Sequence, residues 1–596
     1  MPPISLTPLV HMSGQPLPAT WLGQLIEVRV ERQFQVPGRV TLRFADPGYA
    51  LIDSRTVELG YLIEVFDPTG ESTLISAEVT GISVEQQQGQ QPELLVVAHD
   101  RAHRMGRATS VRTFSSLSYS DVVSQMAANA GLTPDIDSTG EVFPYFMQAD
   151  SDLGLLTELA RRVGFDWWID GTTLHFKRPA PGKTVSLTWF GGLRSFTARV
   201  NGHAPDQAEV DGWDRDQQQQ VTASVQATEA NDAVKSTSPL AALAAKRSAA
   251  FGSATLRTAG IGATTQSEAN SLGTALVNRS ESCSVSAQGV ADGNPAIMPG
   301  AVVSIADAGG TVSGGYPVTR VEHTYRPATG YVTRFACGDR HPSTLVDILG
   351  GGAGGVGVGG GRSNTPAHLH PGLAVGLVTN IDQSTGRVKV RYPGLTATYE
   401  TGWARVVAAG GGKARGGVWV PEVNDEVLVA FEGGDPRQPV VIGGLYGAKS
   451  TLPPTAITDG AVQQRSLTSR LGHVIQLLDG TEPATQAIEL TLAGGEHKLH
   501  MGKDKTTLSL PASYELSITA GETSITIGTD GGVTITAPKI TLTGEQAVQA
   551  TAAQVSLSAD TELSLQGDVQ AALKGGMVQI QSEGPLQAQG EPVMIN

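Results

Sequence analysis

The chain has 596 residues, enough for several domains that each bury a core. Aromatic residues make up 5% and charged residues 17%, whereas 72 residues are glycine, a balance that favours many short strands and turns. The net charge of −15 argues against nucleic acid or an anionic membrane surface as the partner. No run approaches the ~18 apolar residues of a membrane span, and no basic and apolar leader opens the sequence. We therefore expect a protein made in the cytoplasm, and export by a route without a signal peptide stays open.

The first part of the chain is predicted to form strands with a helical insert. Residues 5–110 alternate strand-like segments with Gly, Pro and Asp turns. "SYSDVVSQMAANAGL" then predicts a helix capped by Ser120 or Asp121, and "SDLGLLTELARRVGF" predicts a second helix. "DWWIDGTTLHFKRP" predicts a hairpin that turns at its Asp-Gly pair.

The middle of the chain returns to strands and contains the clearest boundary. Ala-rich helices are predicted near 238–250 and 263–281, and strands resume in "GAVVSIAD", "YPVTRVEHTYRP" and "GYVTRFACGD". The Gly-rich run at 350–363 is typical of a flexible tether. Residues 370–448 contain five short strand segments with Gly and Pro corners, which predicts a small closed barrel of the OB type.

The last quarter of the chain repeats a short strand. Phrases that start at Val533, Val548, Leu563, Val578 and Val593 lie 15 residues apart, and a second, offset set interleaves with them. Such repetition is typical of a solenoid or a fibre. A strand of four residues spans only ~13 Å at ~3.3 Å per residue, so one chain closes a coil poorly, whereas three chains close a triangular prism without a free edge. The pattern favours an intertwined trimeric β-helix over an antiparallel sandwich or an amyloid-like stack.

Alternation along these phrases assigns one set of aliphatic side chains to the interior of the trimer. Outward positions are polar, which argues against amyloid-like stacking. The predicted trimer core consists of Ile525, Ile527, Val533, Ile535, Ile540, Leu542, Val555, Leu557, Leu563, Leu565, Val578 and Ile580.

Several segments resemble known families. "GRVKVRYP", "WARV", "PEVNDEVLVAFEGGDPRQPVVIGGLY" and "LPP" closely resemble the OB domain of VgrG-type and phage baseplate spike proteins. In the N-terminal half, "SDLGLLTELARRVGFDWWIDGTTLHF", "AEVDGWDRDQQQQVTA" and "PAIMPGAVVSIADAGGTVSGGYPVTRVEHTYRPATGYVTRFAC" are similar to the phage hub and late-control-protein family. The chain departs from the family pattern at the tether 350–363 and at Asn424, where Gly is usual.

The resemblance implies a mainly β fold with four regions. These are a hub at 1–345 with two β-barrels and a helical insert at about 118–166, a Gly-rich linker at 346–369, an OB domain at 370–450 and a trimeric β-helix spike at 451–596. It further implies the structural central spike of a contractile injection system. Three hubs would form a pseudo-sixfold ring that matches a hexameric inner tube, and the shaft would puncture an envelope.

The expected partners follow from the same resemblance. They are two further copies of the chain, inner-tube and baseplate proteins, a PAAR-type tip protein, and cargo effectors where the system delivers them. The tip protein would bind the end of the shaft at Pro592, Val593, Met594, Ile595 and Asn596. No nucleic acid is expected, and a target membrane would be touched only transiently. The compact hub favours a phage-tail-like extracellular particle, with a type VI secretion VgrG as the alternative; the particle would be cytoplasmic or released.

Three histidine motifs are candidate metal sites. "HDRAH" at 99–103 follows a strand and lacks the Glu of a zinc helix, which favours a structural role, and "EHKLH" at 496–500 is strand-like. His368 and His370 form an HxH motif of the kind that holds iron in some phage spike tips, but they precede the OB barrel. We predict no metal and no cofactor, with His368 and His370 as the remaining candidates.

An enzymatic function would need paired carboxylates in a cleft, as in glycosidases. Asp560 and Glu562 are the candidate pair, but scattered acidic residues are most simply solvated surface. Only about 20 residues, 447–466, separate the OB barrel from the repeats, too few for a catalytic domain. The sequence therefore predicts no enzyme, and a polysaccharide-degrading β-helix and an adhesin remain as alternatives.

Overall fold

A computed structural model describes residues 7–214, 217–259, 263–340, 373–393, 400–432, 435, 437–447, 450, 452–453 and 457–595. The chain divides into two compact units, Met1–Thr451 and Leu452–Asn596. β-Strands predominate in both units, which confirms the mainly β fold class. Within the described ranges, no helix combines the length and the apolar character needed to cross a membrane.

The first unit begins with a half-barrel whose inward-facing side chains, such as Val40, Leu42 and Phe44, are fully buried. Its elements are β1 Leu9–Met12, β2 Gln15–Pro16, α1 Ala19–Leu22, β3 Leu25–Gln33, β4 Val36–Ala45, α2 Ala50–Asp53, β5 Leu62–Phe66, β6 Thr73–Glu85, β7 Glu93–His99 and α3 Ala102–Met105. The strands neighbour one another in the order β3-β4-β7-β6-β5-β1-β2. The sheet therefore ends at the very short strand β2, which leaves little open edge.

The helical insert follows. Its elements are β8 Thr109–Ser118, α4 Tyr119–Asn129, β9 Thr133–Ile136, β10 Val142–Ser151, α5 Asp152–Val163, β11 Asp166–Asp170 and β12 Thr173–Lys177. Both predicted helices and the predicted β11–β12 hairpin are confirmed. The predicted cap of α4 was wrong: Ser118 caps the helix, and Asp121 completes the capping box as its third helical residue. A Ser two positions earlier than predicted satisfies the first free N–H groups, because the helix begins at Tyr119.

A closed barrel completes the hub region, the name used below for residues 7–340. The elements of this part of the hub region, in the barrel and beside it, are β13 Thr184–Trp189, β14 Gly192–Val200, β15 Gln207–Asp214, β16 Gln219–Gln226, α6 Leu240–Ala244, α7 Arg247–Phe251, β17 Thr255–Ala259, α8 Gln266–Ser282, β18 Val285–Asp292, β19 Val302–Ala306, β20 Gly314–Arg326 and β21 Gly330–Cys337. The order β19-β13-β14-β18-β21-β20 closes because β19 also pairs with β20. Since β20 also pairs with β3, the closed barrel and the half-barrel share one sheet of 13 strands.

A smaller layer lies beside the closed barrel. Strands β16, β15 and β17 form a three-stranded sheet in that order. Helix α8 covers it, with Leu272 and Leu276 packed in one core with Val210. The Ala-rich helices predicted near 238–250 and 263–281 are therefore confirmed as α6, α7 and α8. The N-terminal turn of helix α8 carries Glu268.

The OB barrel, the name used for residues 373–447, contains the predicted five-stranded sheet. Its strands are β22 Ala374–Ile381, β23 Val388–Arg391, β24 Arg405–Val406, β25 Gly411–Gly412, β26 Arg415–Gly416, β27 Glu426–Phe431 and β28 Pro439–Gly444. The sheet order is β23-β22-β27-β28-β24, around a core that includes Val378, Val390 and Val427. Asn424 has φ 75°, a left-handed conformation that explains why Gly is usual there and why Asn is tolerated. His368 and His370 lie outside the described residues.

The second unit, called the shaft region below (457–595), has short antiparallel strands in its first part, from 457 to 536. They are β29 Ile457–Thr458, β30 Ala461–Val462, β31 Gln464–Thr468, β32 Val474–Asp479, β33 Gln486–Thr491, β34 Lys498–Gly502, β35 Thr506–Ser509, β36 Leu516–Ala520, β37 Thr523–Ile527 and β38 Val533–Thr536. Strands β31 to β35 form one sheet in chain order and β36 to β38 form another. Between 537 and 595, a range that is fully described, no strand is assigned and all side chains are exposed apart from the half-buried Ala537.

The structure differs locally from the interchain strand pairing that the sequence favoured. Strands β36 to β38 pair within one chain as antiparallel neighbours. The turns between them use single glycines with positive φ, Gly521 at 59° and Gly531 at 80°, rather than Asn-Gly pairs. These hairpins therefore carry no Asn-Gly signal in the sequence.

Candidate functional site

Two surfaces stand out, one in each unit. The first is the contact between the helical insert and the OB barrel, which we call the seam. Phe143, Tyr145 and Met147 alternate along β10 and so project from the same face of that strand. Met147 packs against the core of the OB barrel, and Gly402 lies so close that a Cβ there would come within 2.8 Å of the Tyr145 Cβ. Strand β10 thus contributes side chains to the core of the insert and to the core of the OB barrel.

Arg437 of the OB barrel supplies the polar part of the seam. Its guanidinium donates from Nη1 to Glu268 Oε1 on α8 at 2.8 Å and to the Tyr119 hydroxyl on α4 at 2.9 Å. Its Nη2 donates to Asp435 Oδ2 at 2.8 Å. Arg162 Nη1 lies 3.7 Å from Glu268 Oε1 on the other side. The cluster therefore brings together two cations and two carboxylates, and the Arg437 side chain is only 7% exposed.

The electrostatics of this cluster follow from burial and pairing. Burial alone would raise the pKa of Asp435, but the Arg437 guanidinium outweighs it and holds that pKa below its ordinary value. Burial would lower the pKa of Arg437, but Tyr119, Asp435 and Glu268 keep it well above its ordinary value. Burial raises the pKa of Tyr119 to about 12, so this hydroxyl keeps its proton at neutral pH. A cavity of about 20 Å³ beside Tyr119 and Arg162 has room for about one water molecule.

Among the described residues, two tyrosine hydroxyls in the seam have no hydrogen-bond partner. Tyr145 from β10 and Tyr392 from the OB barrel are buried, and neither hydroxyl has a partner among the described atoms. Burial raises the pKa of both hydroxyls, and the nearby Tyr145 raises that of Tyr392 further. The seam is therefore well packed but polar groups within it are incompletely satisfied.

Sequence reasoning found one side of the seam and missed the other. Arg437 belongs to the "GDPRQPVVIG" segment that carried the resemblance, although its role was not predicted. Strand β10 was not predicted at all. The alternation of Phe143, Tyr145 and Met147 in "VFPYFM" is a signal that could have indicated a strand with two buried faces.

The second surface is an exposed apolar face in the shaft region. Register pairs Leu467 with Ile475, Ile475 with Leu490, Leu490 with Leu499 and Leu499 with Leu508, so these five side chains form one row across the sheet β31 to β35. A second row contains Leu477, Ile488 and Met501. Most members of both rows are exposed, including Leu467, Ile475, Leu477, Ile488, Leu490, Met501 and Leu508.

The opposite face of this sheet combines polar and ionic groups with Val474, Leu478 and Ala487, and its side chains are less exposed. Glu489 is buried there between Lys498 Nζ at 2.7 Å and His500 Nδ1 at 2.6 Å. Burial would raise the pKa of Glu489, but the Lys498 and His500 contacts outweigh it and lower that pKa. The face that carries the two Leu and Ile rows is therefore the more exposed face of the protomer, and it is suited to a further apolar layer.

Strands β36 to β38 continue this apolar pattern. Ile525 lies opposite Ile518 and Ile535, and Ile527 lies opposite Leu516 and Val533. Four predicted trimer-core residues thus share one face, with exposures from 38% at Ile525 to 63% at Val533. The remaining predicted core residues are also exposed in the protomer: Ile540, Leu542, Val555, Leu557, Leu563, Leu565, Val578 and Ile580. Their burial by neighbouring chains stays a prediction.

The other candidates have ordinary structural surroundings. His99 Nδ1 lies 2.7 Å from Thr80 Oγ1, and His103 Nδ1 lies 2.8 Å from the Asp100 carbonyl oxygen. His497 packs edge-on against Tyr514. Within the described ranges, no group of three or more His, Cys, Asp or Glu side chains could hold a metal ion.

The candidate carboxylate pair and the described residues of the predicted tip lie at the surface. Asp560 and Glu562 are exposed. Pro592, Val593, Met594 and Ile595 are also exposed, whereas Asn596 lies outside the described residues. The described residues among them are exposed rather than gathered in a cleft, and cap binding at the tip stays a prediction.

Comparison with known proteins bears on the OB barrel. The family profile of the type VI secretion system/phage-baseplate injector OB domain matches residues 374–446. A second profile, the Alg8 N-terminal domain, matches residues 54–326. A type VI secretion system spike protein of Pseudomonas aeruginosa, VgrG5, is 44% identical over 72 residues, 11% of this chain and 9% of that protein. VgrG2a of the same organism is 30% identical over 125 residues, 20% of this chain and 14% of that protein. The chain thus matches only a small part of these relatives.

Solved structures align over longer stretches at low identity. A type VI secretion component of E. coli, described as structurally similar to bacteriophage T4 tail proteins, has 14% identity and a TM-score of 0.44, covering 73% of this chain and 99% of that chain. A Francisella PdpA-VgrG complex has 7% identity and a TM-score of 0.45, covering 89% and 87%. The chain therefore carries, at residues 374–446, the OB domain of type VI secretion and phage-baseplate injectors, and its resemblance to VgrG-type spike proteins is confirmed.

Proposed function

We propose that the protein is the structural central spike of a contractile injection system and acts as a homotrimer. The observation that carries this proposal is the pair of exposed apolar faces in the shaft region, in a chain that also holds an injector OB domain. Exposed apolar area costs about 25 cal/mol per Å² relative to burial, so rows of Leu and Ile on one face strongly favour a partner layer. Two further copies of the same chain supply that layer with matching rows and a matching repeat.

The proposed domains are a hub at 1–345, a linker at 346–369, an OB domain at 370–450 and a spike at 451–596. The closed barrel and the half-barrel of each hub share one sheet, so each copy offers two barrel-like modules. Three copies would offer six such modules. This count supports a ring that matches a hexameric inner tube.

The proposed mechanism is mechanical. Contraction of a sheath would push tube and spike through an envelope, and the shaft would transmit axial force. In an intertwined trimer, the hydrogen bonds and apolar contacts of each layer must fail together, which gives high resistance. This function needs no covalent chemistry, and the relatives named as spike proteins support a structural role, although one matching protein of Vibrio cholerae is named an actin cross-linking toxin.

We further propose the surroundings in which the spike works. Its partners would be inner-tube and baseplate proteins and a PAAR-type protein on the tip residues 592–596. It would be made in the cytoplasm and assembled into a particle that stays there or is released. A type VI secretion VgrG that delivers effectors is the second candidate, because the matching OB domains belong to type VI spike proteins.

Electron microscopy of the purified full-length chain tests this proposal. We expect a particle with threefold symmetry, a ring at one end and a thin rod at the other. Separate protomers without a rod would contradict the proposed function. Hydrolysis of a polysaccharide by the wild-type chain, lost in an Asp560→Asn, Glu562→Gln variant, would favour the enzymatic alternative.

A further inference from the structure

We propose that the seam, with Arg437 as its central polar contact, is the joint that holds the hub region and the OB barrel together as one rigid body. This proposal does not depend on the proposed function. The joint itself is a property of one protomer, and its loss is measurable without a contractile particle.

Arg437 is positioned before it meets the hub region. The Asp435 carboxylate accepts hydrogen bonds from the Arg437 backbone N–H at 2.9 Å and from Arg437 Nε at 3.0 Å, in addition to the Nη2 bond. This loop therefore fixes the direction of the guanidinium from within the OB barrel. A side chain held in its bound conformation loses less entropy when it binds, which strengthens the contact.

The receiving side is equally constrained. Glu268 Oε2 accepts from the Thr264 backbone N–H at 3.0 Å, which leaves Oε1 directed at Arg437. The Tyr119 ring stacks on Phe143 with centroids 4.3 Å apart, and the Arg437 guanidinium lies 5.5 Å from the centroid of the Phe143 ring. Arg437 thus contacts α8, α4 and β10 at once.

Removing Arg437 would leave the other groups poorly compensated. Glu268 is 7% exposed, and its other cation, Arg162, is 3.7 Å away. A buried carboxylate that loses its hydrogen-bonded partner is strongly destabilised. The apolar contacts of Tyr145 and Met147 alone would then have to hold the OB barrel against a surface with an uncompensated charge.

A cleavable version of the full-length chain tests the joint. A protease recognition sequence replaces residues 355–358, between Gly354 and Gly359, and the chain is then cleaved there. Size-exclusion chromatography shows whether the two fragments elute together. We expect the fragments of the otherwise unchanged chain to stay together. We expect Arg437→Met to separate them, with dissociation about a hundredfold faster or more.

Two further variants control the result. Arg415→Met removes an exposed arginine of the β25–β26 hairpin of the OB barrel, so its fragments should stay together. Glu268→Gln removes the charge from the hub side and should weaken the joint even if Arg437→Met folds poorly. Separation of the unchanged fragments, or co-elution of both the Arg437→Met and the Glu268→Gln fragments, would overturn the proposal. The mass of the uncleaved chain reports independently on the trimer, so a monomer would contradict the proposed function and leave the joint intact.

Discussion

Arg437 Nη1 lies 2.8 Å from Glu268 Oε1, although the two residues are 169 positions apart in the chain. One belongs to a loop of the OB barrel and the other to the first turn of α8. Tertiary packing thus brings together two segments that are separated in the sequence by the last four strands of the closed barrel, the Gly-rich stretch and most of the OB barrel.

The two unpartnered tyrosine hydroxyls of the seam should be dispensable. A buried hydroxyl without a hydrogen bond costs about 1–3 kcal/mol, so the Tyr145→Phe, Tyr392→Phe double variant should melt at the same temperature as the wild type or higher. Tyr316→Phe is the matched control, because the Tyr316 hydroxyl donates to the Val312 carbonyl and its loss should lower the melting temperature. Differential scanning calorimetry measures all three, and a clear loss of stability in the double variant would contradict the seam as described.

Phe190 should be replaceable by glycine. Its φ of 63° places a bulky residue in the left-handed region, and its side chain is fully exposed. Because this conformation costs about 1–2 kcal/mol for a residue with a Cβ, Phe190→Gly should raise the melting temperature of the hub region. Gly164→Ala should have the opposite effect, since φ there is 70° and a Cβ would lie 3.0 Å from Ala275 Cα. A lower melting temperature for Phe190→Gly would show that its exposed ring is needed for stability.

His323 should make the hub region less stable in acid. Burial lowers the pKa of His323 from 6.5 to about 3, and its Nδ1 lies 2.9 Å from the Tyr331 hydroxyl and 3.1 Å from Thr333 Oγ1. Between these two pH values the unfolded chain binds a proton that the folded chain does not, so the free energy of unfolding falls as pH falls. From about pH 7.5 to about pH 5 the loss should be about 2 kcal/mol.

The matched variant for this effect is His323→Gln, which stays neutral and keeps a hydrogen-bonding group beside Tyr331. Its denaturant midpoint should change less with pH than that of the wild type. Equal pH dependence of the two proteins over this range would contradict a neutral buried histidine.

The apolar face of the shaft region should control assembly. Ile525→Asp adds a charge to the exposed apolar row, whereas Thr526→Asp adds the same charge to the opposite face of β37. If three chains bury that row, an uncompensated charge there is prohibitive, and only Ile525→Asp should lose the trimer. Native mass spectrometry distinguishes the two variants, and equal effects from both would contradict the assignment of the faces.

The sequence was most informative where a local pattern determines structure. Apolar period predicted α4 and α5, an Ala-rich stretch predicted α8, and alternation placed Ile525, Ile527, Val533 and Ile535 on one face, as the register shows. The OB barrel was found from its strands and from its family motif. These features depend on neighbours within a few residues along the chain.

Features that depend on distant contacts were not predicted. Strand β10 has apolar residues on both faces, with Phe143 and Phe146 in the core of the insert and Met147 against the core of the OB barrel, so it lacks a simple apolar/polar alternation. The partner of Arg437 could not be inferred, since charge pairing across the seam leaves no local pattern. The hairpins β36 to β38 were missed because Gly521 and Gly531 form turns without an Asn-Gly pair.

The mass of the wild-type chain in solution, measured by light scattering during size-exclusion chromatography at low micromolar concentration, tests the central claim most directly. The account predicts three times the mass of one protomer, since only then are the rows of Leu and Ile in the shaft region removed from water. A stable, folded monomer with those rows exposed would contradict it.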